Sequence, residues 1–197
     1  MVLAAATSKG VATHGAIVER AIGLVRKQGL ESLSIGSVAQ AATMSKSGVF
    51  AHFGSREDMQ LAVLDAVAED FSQRVLAPAF RQPRGLKRLR AIVSNWMEWA
   101  HDGCPMIAAT IEYDDRPGVI RDRVVYWQRR LREALARAVE LAVEAGELRA
   151  DIDPEQVAFE LFGIVLVLHH DSHLFGATDA IARATRAFDR LFASHAN

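Results

Sequence analysis

The chain has 197 residues, 50% of them hydrophobic, and its 23 Lys and Arg against 24 Asp and Glu leave a formal net charge of −1. That length admits one domain or two small ones, the apolar content excludes a wholly disordered chain, and the near-zero charge excludes a uniformly basic nucleic-acid binder. The single cysteine, Cys104, excludes an intrachain disulfide and, with no signal-peptide pattern over Met1 to Ala6, favours a cytoplasmic location.

Every predicted element is helical, with no strand signal, internal repeat or low-complexity tract. After roughly ten residues expected to lack order, a first helix runs from Thr13 to Gln28, burying Ile17, Val18, Ala21, Leu24 and Val25, with Gly29 as a left-handed stop. Ile35, Val38, Ala39 and Ala42 then recur at i, i+3, i+4 and i+7, the stripe of a two-turn helix that Ser34 can cap. A second short helix starts at Ser45, its N-cap. It turns Val49 and Phe53 toward the first and leaves Lys46, Ser47, Phe50 and Ala51 on the other face. Two short helices joined by a tight turn fit a helix-turn-helix that sets its second helix in the major groove of DNA. Ser55-Arg56-Glu57-Asp58 is a capping box that opens a longer helix, expected to run to about Ala77 and to end at Pro78.

Further on, Leu86, Leu89, Ile92, Val93, Trp96 and Met97 keep helical spacing between Pro83 and His101, and Gly103 and Pro105 break it. A short helix follows Pro105, and Tyr113 to Gly118 reads as a turn. A long helix then reaches Ala145, closed by Gly146, and Asp153-Pro154 and Thr178-Asp179 start the last two, the final one ending in His195-Ala196-Asn197. Val157 to Leu168 is more apolar than a surface helix requires, too short a run for a membrane span of about 20 residues, and carries Glu160. Paired with Ile181, Ala184, Ala187, Phe188, Leu191 and Phe192 of the last helix, it suits a four-helix bundle with a second copy; the alternative is that both helices complete a monomer core.

The span from Ile17 to Leu61 resembles the DNA-binding domain of the TetR family of bacterial repressors. The resemblance rests on Ile17, Ala21, Leu24, Gly29, Ile35, Val38, Ala39, Ser45, Lys46, Phe50, His52, Phe53, Ser55, Arg56 and Glu57. It departs from the usual pattern at Ser47, often Gly, at Gly48, often Thr or Ser, and at Phe50, usually Tyr. The resemblance implies an all-α regulator, with a three-helix DNA-binding domain over 1–54 and a helical ligand-binding and dimerisation domain over 55–197. It also implies a double-stranded operator as partner and repression relieved when a small molecule binds the body. The predicted DNA-contacting set is Ser34 and Ser37 on phosphate, Ser45, Lys46, Ser47, Gly48 and Phe50 at the groove, and His52 and Arg56 fixing register through phosphates, with the equal alternative that His52 only braces the recognition helix. Charge agrees, since up to Gly54 the cations, Lys9, Arg20, Lys27 and Lys46 among them, outnumber the acids Glu19 and Glu31.

Ligand pockets are mostly apolar with a few polar groups, so Trp96, Trp99, Met106, Tyr113, Trp127, Phe162, Leu166 and His169 are the candidate walls, against the plain alternative of core packing. The acids Glu112, Asp114 and Asp115 fit a cation or a solvated turn equally well. His169 and His173 form an i, i+4 pair able to hold a metal, but no His-Glu-x-x-His setting or cysteine cluster supports it, so neither metal nor cofactor is expected. No Ser-His-Asp spacing, phosphate loop or paired catalytic carboxylates stands out, which argues against an enzyme. A ligand-independent DNA-binding protein and, more remotely, a helical metal-dependent enzyme are the other readings.

Overall fold

Burial of apolar helix faces organises the computed structural model, which describes residues 8–101 and 103–195; every regular element among them is a helix. Most of the stretch expected to lack order, and Ala196 and Asn197 of the expected last helix, lie outside the described residues. Contacts divide the chain into two compact units. The first unites residues up to Val67 with Pro105–Val124, and the second holds Ala68–Cys104 and the chain from Val125 onward. This differs from the division expected at residue 54, because a distant helix packs on the N-terminal ones through bonds no local pattern reveals.

In the first unit, α1 (Ser8–Gln28) starts earlier than expected, and Ile17, Val18, Ala21 and Val25 form its buried stripe. Leu30 and Leu33, fully buried, seat the loop that leads to α2 (Ile35–Ala41). Ser34 and Ser37 cap α2 reciprocally, each backbone N–H donating to the other's hydroxyl at 3.0 Å. The turn to α3 (Lys46–Phe53) is a Schellman motif, with Met44 N–H on the Ala39 carbonyl at 2.9 Å and Thr43 N–H on that of Gln40 at 3.2 Å. It places Thr43 at φ 54°, a left-handed conformation costly for a β-branched residue. Ser55 then caps α4 (Arg56–Phe71), accepting from Asp58 N–H at 2.9 Å. From the other part of the unit, α7 (Pro105–Tyr113) packs against α1, and Arg123, in the first turns of α8 (Val119–Glu144), pairs with Asp65.

In the second unit, the helix expected to stop at Pro78 continues past it. A π-helical segment over Ser72–Leu76 shifts the hydrogen-bond register, so Pro78 falls in the first turn of α5 (Ala77–Phe80), where its missing N–H costs nothing. Next, α6 (Leu86–His101) receives Glu147 at its start: the carboxylate accepts from Leu86 N–H at 2.5 Å, and a Cβ on Gly85 would meet it at 2.1 Å. Asp153 caps α9 (Pro154–Leu174) as expected, accepting from Glu155 N–H at 2.9 Å, and α10 (Ala180–Ala193) follows. At 21 residues α9 corrects the short apolar run read from sequence, being long and apolar enough by length and composition alone to cross a bilayer. It packs instead against α6 and α10, with Leu161, Val165 and Leu168 buried.

Asn tolerates the left-handed region far better than Thr, so Thr43→Asn should raise stability by about 0.5–1 kcal/mol, read as a higher urea midpoint at unchanged m-value.

Candidate nucleic-acid interface

Two capped helix starts gather the predicted contact residues. Ser45 Oγ accepts from Gly48 N–H at 3.1 Å and lies 3.1 Å from Ser47 Oγ, so α3 begins with two hydroxyls at its positive end. Lys46 is exposed, and its ammonium reaches back over α2: a Cβ on Gly36 would lie 3.3 Å from its Cε and 3.7 Å from its Nζ. The Lys46 ammonium thus lies beside the start of α2 that Ser34 and Ser37 cap. Gly48 is tight as well, since a Cβ there would meet Ser45 Oγ at 3.1 Å, so the residue that carries no base-reading side chain leaves room for the cap. Val49 and Phe53 are buried, whereas Phe50 is 55% exposed, an apolar ring without a hydroxyl on the outward face.

Two predicted register residues, His52 and Arg56, also make contacts within the head. Half-buried His52 has its ring 6.1 Å from that of His14 on α1, whose ring also stacks 4.6 Å from Phe53, so His52 braces the head from its third helix. Arg56 is directed inward. Its Nε donates to the Leu33 carbonyl at 2.6 Å, and its Nη2 donates to the Glu31 carbonyl and pairs with the Glu31 carboxylate at 3.2 Å. Two of its three nitrogens are thus committed to the loop ahead of α2, and its side chain remains 45% exposed.

Beneath the interface lies a polar clasp. Tyr113 on α7 donates its hydroxyl to Glu31 Oε2 at 2.6 Å, and Gln60, buried on α4, donates to both the Leu30 carbonyl at 2.9 Å and Tyr113 Oη at 3.1 Å. Glu112 accepts from Glu31 N–H at 2.9 Å, and it fits only because Gly29, at φ 81°, has no Cβ to collide at 1.8 Å. Arg116 adds an ion pair to Glu31 at 3.5 Å. The Tyr113 bond, more than Arg56 and Arg116, holds the Glu31 carboxyl below its ordinary range against the opposing effect of burial. Burial, then the Glu31 bond, pushes the Tyr113 phenol up to about 12. His14, Glu31, Gln60, Glu112 and Arg116 were not singled out as parts of this region; Glu31 and Tyr113 stand 82 positions apart, and no periodicity links them.

The candidate ligand walls divide between the units. Met106 and Tyr113 belong to the first, both buried, with the Tyr113 hydroxyl satisfied by the clasp. In the second, Trp96, Trp99 and Phe162 are buried in one aromatic cluster around Phe71, and Trp99 Nε1 donates to Asp70 at 2.9 Å. Trp127 meets Tyr126 edge-on, and Leu166 is partly exposed. The His169 and His173 rings lie 4.6 Å apart, and burial, then its two histidine neighbours, pushes His169 down to about 4. Among the described residues no group of three or more His, Cys, Asp and Glu is placed to hold a metal ion. The acids near Tyr113 serve the turn, with Asp114 accepting from Asp115 N–H at 2.9 Å.

Two capped short helices, a six-to-one turn and an exposed second helix define a helix-turn-helix protein. The model of bacterial regulatory proteins of the tetR family matches residues 17–63, and that of the tetracyclin repressor-like C-terminal domain matches residues 85–188. The chain belongs to the TetR family and is a transcriptional regulator. Solved structures share the fold. A TetR regulator from Chloroflexus aurantiacus superposes with a TM-score of 0.82 at 23% identity over 94% of each chain. One from Cytophaga hutchinsonii does so at 0.82 and 18%, over 96% of this chain and 97% of that one. The regulator AibR, solved with isovaleryl coenzyme A and operator DNA, gives 0.75 and 24%, over 91% and 98%. No curated protein matches the chain.

Tyr113→Phe should cost about 1–2 kcal/mol by leaving Glu31 and Gln60 short of a partner. Because the phenol is raised in the fold, its contribution is fully present below its ordinary value and is lost as pH rises through about 12. The gap between wild-type and variant urea midpoints should hold steady up to about pH 9 and shrink above about pH 10.

Proposed function

We propose that the chain is a homodimeric, cytoplasmic repressor that binds a two-fold operator with two copies of the Lys46 face and leaves it when a small apolar or amphipathic molecule binds the body. The observation that carries the DNA-reading half is the exposed start of α3, with Lys46 and Ser47 at it, from which the Lys46 ammonium reaches the capped start of α2. Ser34, Ser37 and Ser45 approach phosphate with their hydroxyls and the adjacent helix-start N–H groups, while Lys46, Ser47 and the bare backbone at Gly48 enter the groove. Phe50, exposed and without a hydroxyl, meets the C5-methyl of a thymine rather than a phosphate. His52 and Arg56 contribute mainly by holding α3 and the loop before α2 in place.

One helix-turn-helix reads too few base pairs for specificity, so two copies on half-sites one DNA turn apart, or a multiple of it, are required. The apolar, outward face of α9 beside α10 supports pairing with a second copy, with Val167 61% exposed. AibR, bound in its structure to both an acyl thioester and operator DNA, supports an effector for this chain too. The aromatic cluster of Trp96, Trp99 and Phe162, with Trp127, Leu166 and His169, is the proposed receiving region in the second unit, and Met106 and Tyr113 of the first unit are kept as ligand-contact candidates by themselves. The effector shifts the balance between two conformations, which requires only a few kcal/mol of differential affinity.

Lys46→Ala should weaken operator binding by about 1–2 kcal/mol without lowering the melting temperature, and should reduce the salt slope of log K by about 1. Unchanged affinity and slope in a gel-shift titration across salt would reject the assigned face. Replacing the contacted thymine by uracil should cost the wild type about 1 kcal/mol and Phe50→Ala almost nothing, measured by fluorescence anisotropy.

A further inference from the structure

An outward groove of about 800 Å³ runs between α9 and α10, within the second unit. Its walls are apolar at Ile164 and Val167 of α9 and at Ala184, Ala187 and Leu191 of α10, one face of each helix. Two charged side chains at one end of it are unusual. Glu160 accepts from Gln156 at 2.9 Å with Oε1, but its other carboxylate oxygen is buried with no hydrogen-bond partner. Arg190 lines the same groove and makes no ion pair among the described residues, whereas Arg183, the other guanidinium there, is already held by Asp179 at 2.8 Å. A buried carboxylate oxygen without a donor is costly, and no cation of the same chain among the described residues pairs with it.

We infer that a second copy of the chain closes this groove and that Glu160 of each copy pairs with Arg190 of the other. A two-fold interface is self-complementary, so a single such contact occurs twice and gives each buried Glu160 oxygen a donor from an otherwise solvent-exposed Arg190. The pair is acid on α9 and base on α10, so correct alignment brings opposite charges together and a mismatched alignment, or a foreign subunit with the charges reversed, brings like charges together. The flanking apolar residues supply the burial and the ion pairs supply the register and the choice of partner. This inference rests on the homodimer proposed above and adds the residues that decide which chains pair.

Charge reversal separates the two claims. Sedimentation equilibrium of the full chain first asks whether the wild type is a dimer; a wild-type monomer would sink the dimeric reading itself. Given a dimer, Glu160→Arg and Arg190→Glu, each folded by circular dichroism, should dimerise at least tenfold more weakly alone. An equimolar mixture should recover wild-type affinity as a heterodimer, because each reversed charge then meets its opposite on the other chain. Two folded variants that remain tight dimers alone, or stay monomeric when mixed, overturn the pairing. So does rescue of Glu160→Arg by Arg183→Glu in place of Arg190→Glu. Should a reversed variant fail to fold, Glu160→Gln and Arg190→Gln serve instead. Each should weaken dimerisation at least tenfold and the double variant no further, whereas additive losses, or no loss, overturn the pairing.

Discussion

The Glu31 carboxylate is the point on which the DNA-reading head depends. It lies in the loop between α1 and α2, a segment with no regular structure that must nevertheless fix where α2 begins. Loops are ordinarily the least stable parts of a domain. This one is held from below by Leu30 and Leu33, both buried, and from the sides by Tyr113, Arg56, Gln60 and Arg116, which approach it from α7, α4 and the turn after α7. Partly exposed ion pairs contribute little one at a time. The buried Gln60 amide and the Tyr113 phenol contribute more, because each loses its partner in a place that water does not replace.

What the clasp fixes is passed on through two capped ends. The start of α2 is set by the Ser34 and Ser37 cap, and the Schellman turn at Thr43 then dictates where α3 emerges. A reading helix of eight residues has little intrinsic stability, so its position comes from packing and caps. His14 contributes the last support, its ring on Phe53 and near His52. A head assembled in this way reaches DNA already ordered, and the entropy of arranging it is not charged against binding. The same clasp makes α7 part of the head's unit, so any force that displaces α7 must break hydrogen bonds directly under the loop.

What was legible in the sequence was what is local. Ser34, Ser45 and Asp153 are caps whose side chains bond backbone two or three residues away, and the pattern for each was complete in its own neighbourhood. The end of α4 was misplaced because Pro78 looks like a stop when the preceding turn is α-helical, and the π segment that makes it a start leaves no signature in composition. Arg56 was read as free for phosphate because an exposed arginine next to a helix start has no visible partner in sequence. Its carbonyl acceptors at Glu31 and Leu33 lie more than twenty residues away. The Tyr113 bond to Glu31 was hidden for the same reason, its acid partner being on a loop that gave only a Gly-Leu-Glu.

The chemistry of α3 bears on how such a head selects its site. Gly48 contributes no side chain where the helix would approach base edges most closely, and the space is taken up by the Ser45 cap. Of the residues proposed to enter the groove, Lys46 and Ser47 carry exposed hydrogen-bonding side chains, Ser47 sharing its hydroxyl with the Ser45 cap, and Phe50 has only an apolar surface to offer. Two donors and a ring per copy are a thin basis for direct readout, since each mismatched pair typically costs only about 1–3 kcal/mol. On this reading discrimination depends on what single contacts cannot give: phosphates that position α2 and α3, the deformability of the bases between them, and the fixed separation of two half-sites. The last of these would be set by the proposed dimer and not by the head. A chain with so sparse a reading helix therefore places unusual weight on pairing with the right partner in the right register.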